Sequence, residues 1–324
     1  MIVFITTRGH GYSLKSIQNG TFGFPAPSLK IMSYERLLGA RRIPRATYIF
    51  SDIERLPPFL LGVAAELYRA MRGEGLRCLN DPAKVKSRLA LLRTLHRSGI
   101  NPFNAYRADE SPRPARFPVF VRFETDHGSP LTGLIHSQAE LETALSDLEN
   151  SGTPLRGAIV TEYCSSSDAD GLFHKWGTFR IGDQYSVDHI AVEKNWLVKY
   201  GKWDDITEPV AREEHETVSQ NRFSPDLSRA FELAHIEFGR ADYAIVDGRI
   251  AIYEINTNPY IGPFVPDSKP LRLQTQTIAR TRMGKALEAI DTEDGGTVRL
   301  SADPSPLLKK CRRWRLGWQL PKHP

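Results

Sequence analysis

Two runs of alternating side chains, Arg240 to Val246 and Arg249 to Asn256, meet at the dipeptide Asp247-Gly248. A two-residue hairpin turn needs positive φ at its centre, which glycine adopts without steric cost and aspartate tolerates, so this dipeptide predicts a tight β-hairpin. Such a turn fixes the register, and the register fixes which side chains share a face. Glu254, Asn256 and Asn258 fall on one face by the period-2 rule. Asp242 lies across the turn from Glu254, with Arg240 two positions before it on the same face. Pro259 ends the second strand.

Two facing carboxylates repel, by about 1 kcal/mol at ~4 Å in water and about 4 kcal/mol at an effective dielectric of ~20. A divalent cation resolves that conflict, and carboxylate plus amide oxygens suit Mg2+, which completes its octahedron with water and phosphate oxygens. Asp242, Glu254 and Asn256 are therefore the candidate metal ligands. Two other readings stay open here: an Arg/Asp/Glu ion-pair network without metal, and a half-exposed strand turning polar residues to water.

Upstream, "IVFITT" and "ATYIFSD" read as strands, "PPFLLGVAAELYRAMRGEG" as a helix and "LRCLN" as a further strand. Strands separated by a helix point to a small α/β layer with a parallel sheet. Residues 82–98 read as an amphipathic helix opened by proline and closed by Gly99. After the proline-rich "DESPRPARFP" come the strand "VFVRFE", a glycine-containing turn, the helix "SQAELETALSDLENSG" and the strand "GAIVTEYC". The hairpin "FRIGDQYSVDHIAV" and a helix begun near Ser224 precede the Asp247-Gly248 hairpin. The expected units are an N-terminal α/β domain (1–82), a helix and linker (83–117), a small lobe (118–165), a larger lobe (166–290) and a basic tail (291–324).

At 324 residues, with 40% hydrophobic and 25% charged residues, the chain reads as folded and soluble, with about two or three packed units. A net charge of +5 suits anionic ligands but does not indicate nucleic acid. Cys78, Cys164 and Cys311 stand far apart, so neither a disulfide frame nor a zinc site is expected. No stretch approaches the about 18 apolar residues of a membrane span, and the opening apolar run is too short for a signal peptide. A reducing cytoplasm is the expected location and a homodimer the default assembly. The tail packs five cations between Lys309 and Arg315 around Trp314; a solvated or self-docked segment is the expectation over a nucleic-acid or membrane contact.

The segment "GRADYAIVDGRIAIYEINTNP" resembles the signature hairpin of the ATP-grasp superfamily, above all the D-alanyl-D-alanine ligase and ribosomal-protein glutamate ligase branches, where an aspartate strand is followed by E-x-N-x-x-P, here Glu254, Asn256 and Pro259. The resemblance extends more weakly from about residue 80 to 265, through "LNDPAKVKSRLALLRTLHRSGINPF", "FPVFVRFETDHGSPLTG" and "AIVTEYC". It implies an α/β chain, α+β in its lobes, in which the N-terminal α/β domain precedes a two-lobed ATP-grasp fold. It further implies that Asp242, Glu254 and Asn256 hold Mg2+ on ATP and that Arg240 contacts the transferred phosphoryl group or acyl intermediate. Glu162, Tyr163 and Cys164 would read adenine through backbone groups, with Asp168 or Asp170 near the ribose. His127, Gly128 and Ser129 would fold over the triphosphate, and Lys175 and Lys199 would add phosphate contacts. Where the family usually places two lysines, this sequence offers Arg88 and Arg122; arginine keeps its charge and forks onto phosphate oxygens. The glycine loop is poorer in glycine than usual and contains Pro130.

The implied activity is an ATP-dependent carboxylate-amine ligase working through an acyl phosphate, with small-molecule or peptide acids and amines as substrates. A kinase acting on a hydroxyl and a non-catalytic nucleotide-binding module are the alternatives. His189 is weighed equally as an acceptor contact and as a structural histidine, and Trp196 and Trp203 as pocket walls against the default of aromatic core. The segment "TRGHGYS" reads as a plain turn rather than an anion site.

Overall fold

The computed structural model describes residues 1–126, 128–199, 201, 205–292 and 295–300. The first sheet is parallel, in the order β2-β1-β4-β5, built from β1 (Ile2–Thr6), β2 (Leu29–Ser33), β4 (Thr47–Phe50) and β5 (Cys78–Leu79). Short helices α1 (Lys15–Gln18) and α2 (Tyr34–Gly39) and the short strand β3 (Arg42–Pro44) fill the connections. Helix α3 (Pro58–Gly73) has proline in its first turn and buries Leu60, Val63, Ala64, Leu67 and Met71, the i, i+3, i+4 stripe of a helix laid on a sheet. The parallel α/β layer expected from the sequence is present.

Helix α4 (Arg88–Arg97) starts later than the proline suggested: Ser87 caps it by accepting from the Ala90 N–H, and residues 82–84 form a turn. It leads into a three-stranded antiparallel sheet, β6-β8-β7, made of β6 (Ala105–Arg107), β7 (Val119–Phe123) and β8 (Ala158–Glu162), backed by α5 (Gln138–Asn150). Strand β6 lies in the stretch expected as linker. Its backbone pairs with β8, a pairing that three residues carry too little pattern to announce.

The largest sheet is antiparallel, β10-β9-β11-β12, from β9 (Phe173–Ile181), β10 (Gln184–Glu193), β11 (Phe238–Val246) and β12 (Arg249–Asn256). Asp247 and Gly248 both have positive φ, 51° and 72°, and join β11 to β12. Helices α6 (Glu208–Ser219), α7 (Pro225–Ala234) and the 21-residue α8 (Pro270–Ile290) pack around this sheet. Strand β13 (Thr297–Arg299) returns to pair with β3. No helix among the described residues is long and apolar enough to cross a membrane.

The two larger sheets share a core. Ile2, Phe4 and Leu29 of the parallel sheet pack with Phe179, Ile181 and Phe238 of the antiparallel one and with Met283, Ala286 and Leu287 of α8. Asn80, at φ 63°, stitches the junction: its amide donates to the carbonyls of Phe50 and Phe238 and accepts from the N–H groups of Glu237 and Phe238, at 2.8 to 3.0 Å. Three of the four bonds are buried, where an unmet backbone group is costly. The start of β11 is thereby held against the N-terminal domain.

Candidate active site

The hairpin register brings Asp242 opposite Glu254 and Arg240 opposite Asn256, so the four side chains lie on one face, as the turn requires. A cleft runs between this face and the small three-stranded lobe. Asp242 and Glu254 line it together with Arg88, Arg122, Lys175 and Lys199. These four cations outnumber the two facing carboxylates, and Glu162, the remaining acid in the cleft, is engaged elsewhere: it accepts from the N–H groups of Asn104 and Ala115 and from the Tyr106 hydroxyl.

Each carboxylate is held by a cation. Glu254 pairs with Arg88. Asp242 pairs with Lys175 at 3.1 Å through one oxygen and with Arg240 at 2.6 Å through the other. Burial works against the charge of Arg240, but Asp242, Asp188 and Glu254 hold its guanidinium above the usual arginine range. Burial, with Arg88 beside it, pushes Arg122 the other way, down to about 10. Two arginines thus stand side by side at this end of the cleft, with Glu254 paired to one of them. Both arginines there donate to one backbone atom, the Asp126 carbonyl, at 2.9 and 2.8 Å, and the Gly128 N–H donates to the Asp126 carboxylate at 2.7 Å. These bonds draw the turn after β7 down onto the cleft, which has a volume of about 130 Å³.

Away from the charges the walls turn apolar. Leu92, Phe103, Phe120, Tyr163, Trp196 and Tyr253 form a slot beside the strand β8 exit, where Glu162, Tyr163 and Cys164 also line the cleft. Trp196 packs against Phe120 and Tyr163 with centroids 5.2 and 5.7 Å apart, so it is a wall residue rather than core. The Tyr253 hydroxyl donates to the Cys164 carbonyl at 2.8 Å and fixes the exit. Burial raises the Cys164 thiol above its usual range, which argues against a nucleophile there.

The structure brings together Arg88, Arg122, Gly128, Glu162, Tyr163, Cys164, Lys175, Lys199, Asp242 and Glu254. Arg240 stands directly behind Asp242. Three further candidates stand off the cleft wall. Asn256 Oδ1 accepts the Asn258 N–H at 2.8 Å, closing the end of β12. Asp170 lies in a turn organised by Asp168, whose carboxylate accepts from the N–H groups of Asp170 and Leu172 and pairs with His174 at 2.9 Å. Ser129 does not line the cleft either, although its neighbour Gly128 does. His127, Trp203 and the tail from residue 301 lie outside the described residues.

Asn258 departs from the face assigned to it. Past the strand end it turns to the N-terminal domain, where its amide nitrogen donates to Asp52 at 2.9 Å and its oxygen accepts from the Ser13 hydroxyl. The segment "TRGHGYS" is thus a docking turn for the hairpin's exit, in keeping with a structural role. The reason lies in Pro259: once the strand has ended, alternation no longer governs which way a side chain points.

No family model matches the chain, and no curated protein matches it. Among solved structures, it is similar to D-alanine–D-alanine ligase from Bacillus anthracis complexed with ATP, at 12% identity and a TM-score of 0.48, covering 89% of this chain and 96% of that one.

Two residues that sequence reading passed over shape the site. Gly177 of β9 lies beneath Arg240, where any Cβ would collide with the guanidinium, so glycine is needed for Arg240 to cross the sheet. Asp188 then holds the far side of that guanidinium at 3.5 Å. A signal for Asp188 existed: in "SVDHIAV" two polar residues fall side by side inside an alternating strand, the mark of a β-bulge, and the register of β10 on β9 does shift between Val187 and Ile190.

Proposed function

We propose that the chain is an ATP-grasp enzyme, and specifically an ATP-dependent carboxylate-amine ligase. The observation that carries this reading is a single cleft with an apolar slot at one end and, at the other, a cluster of Arg88, Arg122, Lys175 and Lys199 around the facing carboxylates Asp242 and Glu254. A nucleoside triphosphate has the same polarity, a flat apolar base joined to a chain of anions.

The donor set fits Mg2+ carried by phosphate. Among the described residues no group of three or more His, Cys, Asp or Glu stands together as a metal cage, but Mg2+ is commonly held by one or two carboxylates while substrate phosphates and water supply the rest of its shell. Asp242 and Glu254 would hold it, with Asn256 nearest at the strand end. When bound, the ion would neutralise charge on the transferring phosphoryl group. The cations that now pair with the carboxylates are the ones a triphosphate would draw away, and the Asp126 carbonyl now occupies donors of Arg88 and Arg122 that phosphate oxygens would take.

A carboxylate at neutral pH resists attack by an amine because it would have to expel oxide. Transfer of the γ-phosphoryl group converts it to an acyl phosphate, and that transfer depends on in-line positioning and on cations around the spreading charge. Arg122, Lys175, Lys199 and Arg240 supply the cations. The small lobe, with its turn held at Asp126, serves as the lid that excludes water from the acyl phosphate. The test is product analysis with Mg2+, ATP and pooled acids and amines. ADP, phosphate and an amide are expected; phosphate retained on an acceptor would make the protein a kinase, and ATP binding without ADP formation a binding module.

A further inference from the structure

A second cavity, of about 460 Å³, lies on the other side of Arg240 from the nucleotide cleft. A chain of ion pairs separates the two: Lys175 to Asp242 at 3.1 Å, Asp242 to Arg240 at 2.6 Å and Arg240 to Asp188 at 3.5 Å. Asp188 and His189 both line the second cavity, because the β10 bulge sets two consecutive residues against the single partner Gly177. His189 Nδ1 stands 2.6 Å from Asp188 Oδ2, and the imidazole is 43% exposed. Although burial opposes its charge, His189, Arg240 and Arg280 hold the Asp188 carboxyl well below the usual range, so it is an anion that accepts from Nδ1–H. With Nδ1 turned to that carboxylate, Nε2 is the ring nitrogen left to take a proton from a neighbouring group.

We infer that the Asp188–His189 pair is the proton-accepting base of the coupling step, acting on the nucleophile held in the second cavity; this rests on the ligase reading above. The nucleophile is an amine. Its nitrogen forms a bond to the acyl carbon, the carbon–oxygen bond to phosphate breaks, phosphate leaves with the electron pair, and the proton shed by nitrogen passes to His189 Nε2. Arg240, paired with Asp242 on one side and Asp188 on the other, is the cation that would stabilise the acyl oxygen as it gains charge. The charged groups around the imidazole are Asp188 on its own strand, Arg240 from β11, Glu214 from α6, and Arg272 and Arg280 from α8. Glu214 is paired with Arg272 at 3.1 Å, so Asp188 is the carboxylate that orients the ring.

The experiment uses the full chain and His189→Gln with Mg2+, ATP and a mixture of the proteinogenic amino acids and their D forms, with and without hydroxylamine. Hydroxylamine is unprotonated at neutral pH and traps acyl phosphates without a base. The expected result is that the ratio of amide to hydroxamate falls about 10²-fold to 10⁴-fold in His189→Gln at neutral pH, through kcat rather than KM, and recovers as alkaline pH deprotonates the free amine. An unchanged ratio overturns the inference, as does a parallel loss of amide and hydroxamate, which marks a structural role. Absence of both ADP and hydroxamate in the wild type defeats the ligase reading itself and takes the inference with it. A substrate-free arm reads the tautomer by nitrogen NMR of histidine-labelled full chain: Nδ1–H in the wild type and loss of that preference in Asp188→Asn are expected, and an Nε2–H tautomer in the wild type overturns the assignment.

Discussion

Arg240 is useful only because of what lies under and beside it. Its guanidinium crosses the sheet over Gly177 and is gripped by Asp242 on one side and Asp188 on the other. Gly177→Ala should therefore displace Arg240 and lower ATP turnover about 10²-fold or more, the usual cost of losing a charge-stabilising group, while circular dichroism shows a folded chain; turnover within a few-fold of wild type would contradict the placement. Glu254→Gln removes one of two carboxylates offered to Mg2+ and leaves Arg88 without its partner, so Mg2+-dependent ADP formation should be lost with folding intact. Asp188 makes a pH prediction. Its folded-state pKa is depressed, so its stabilisation is complete above the unfolded value of about 3.9 and is lost as pH falls through the folded value. Thermal midpoints recorded at descending pH should fall more steeply in this range for the wild type than for Asp188→Asn. At this scale Asp242, Glu254 and Arg240 were legible in the sequence because a tight turn dictates their register. Gly177 was not, since its importance arises from a strand that becomes a neighbour only on folding, and Asp188 left only the trace of two adjacent polar residues in an alternating strand.

Elements differed in legibility according to how their pattern arises. The hairpin β11-β12 was legible to within two residues because Asp247-Gly248 fixes it locally. Helix α8 was passed over: its buried face includes Arg272, Thr275 and Gly284 alongside Ala279, Met283 and Leu287, so no apolar stripe advertises it. Arg272 lies buried only because Glu214 and Asp267 meet it there, at 3.1 and 3.4 Å, a tertiary fact without a local trace. The exit of β12 belongs to the same class. Asn258 serves two buried partners in the N-terminal domain, and Asn258→Ala should cost about 1 to 3 kcal/mol in denaturant unfolding by stranding them. A change below about 0.5 kcal/mol, the scatter of ordinary surface substitutions, would show that the stitch is idle.

Across the whole molecule, the α/β layer and its parallel order followed from strand and helix alternation, and the small lobe from one helix between strands. What the sequence did not convey is that the two larger sheets form one body through Asn80 and α8, with the cleft and the second cavity on opposite sides of Arg240. Those are distances between segments far apart in the chain, set by packing rather than by local propensity. One consequence concerns the lid. Because Arg88 and Arg122 spend donors on the Asp126 carbonyl, triphosphate should release that grip, and hydrogen exchange at residues 124–126 should change on adding Mg2+ and ATP and remain unchanged with adenosine alone. If one cleft holds base, triphosphate and metal, a crystal structure with Mg2+ and a non-hydrolysable ATP analogue will show all three together. Adenine is expected beside Tyr163 and Tyr253, phosphates on Arg88, Arg122 and Lys175, and Mg2+ held by Asp242 and Glu254; a nucleotide seated elsewhere, or phosphates pointing away from those two carboxylates, would contradict this reading.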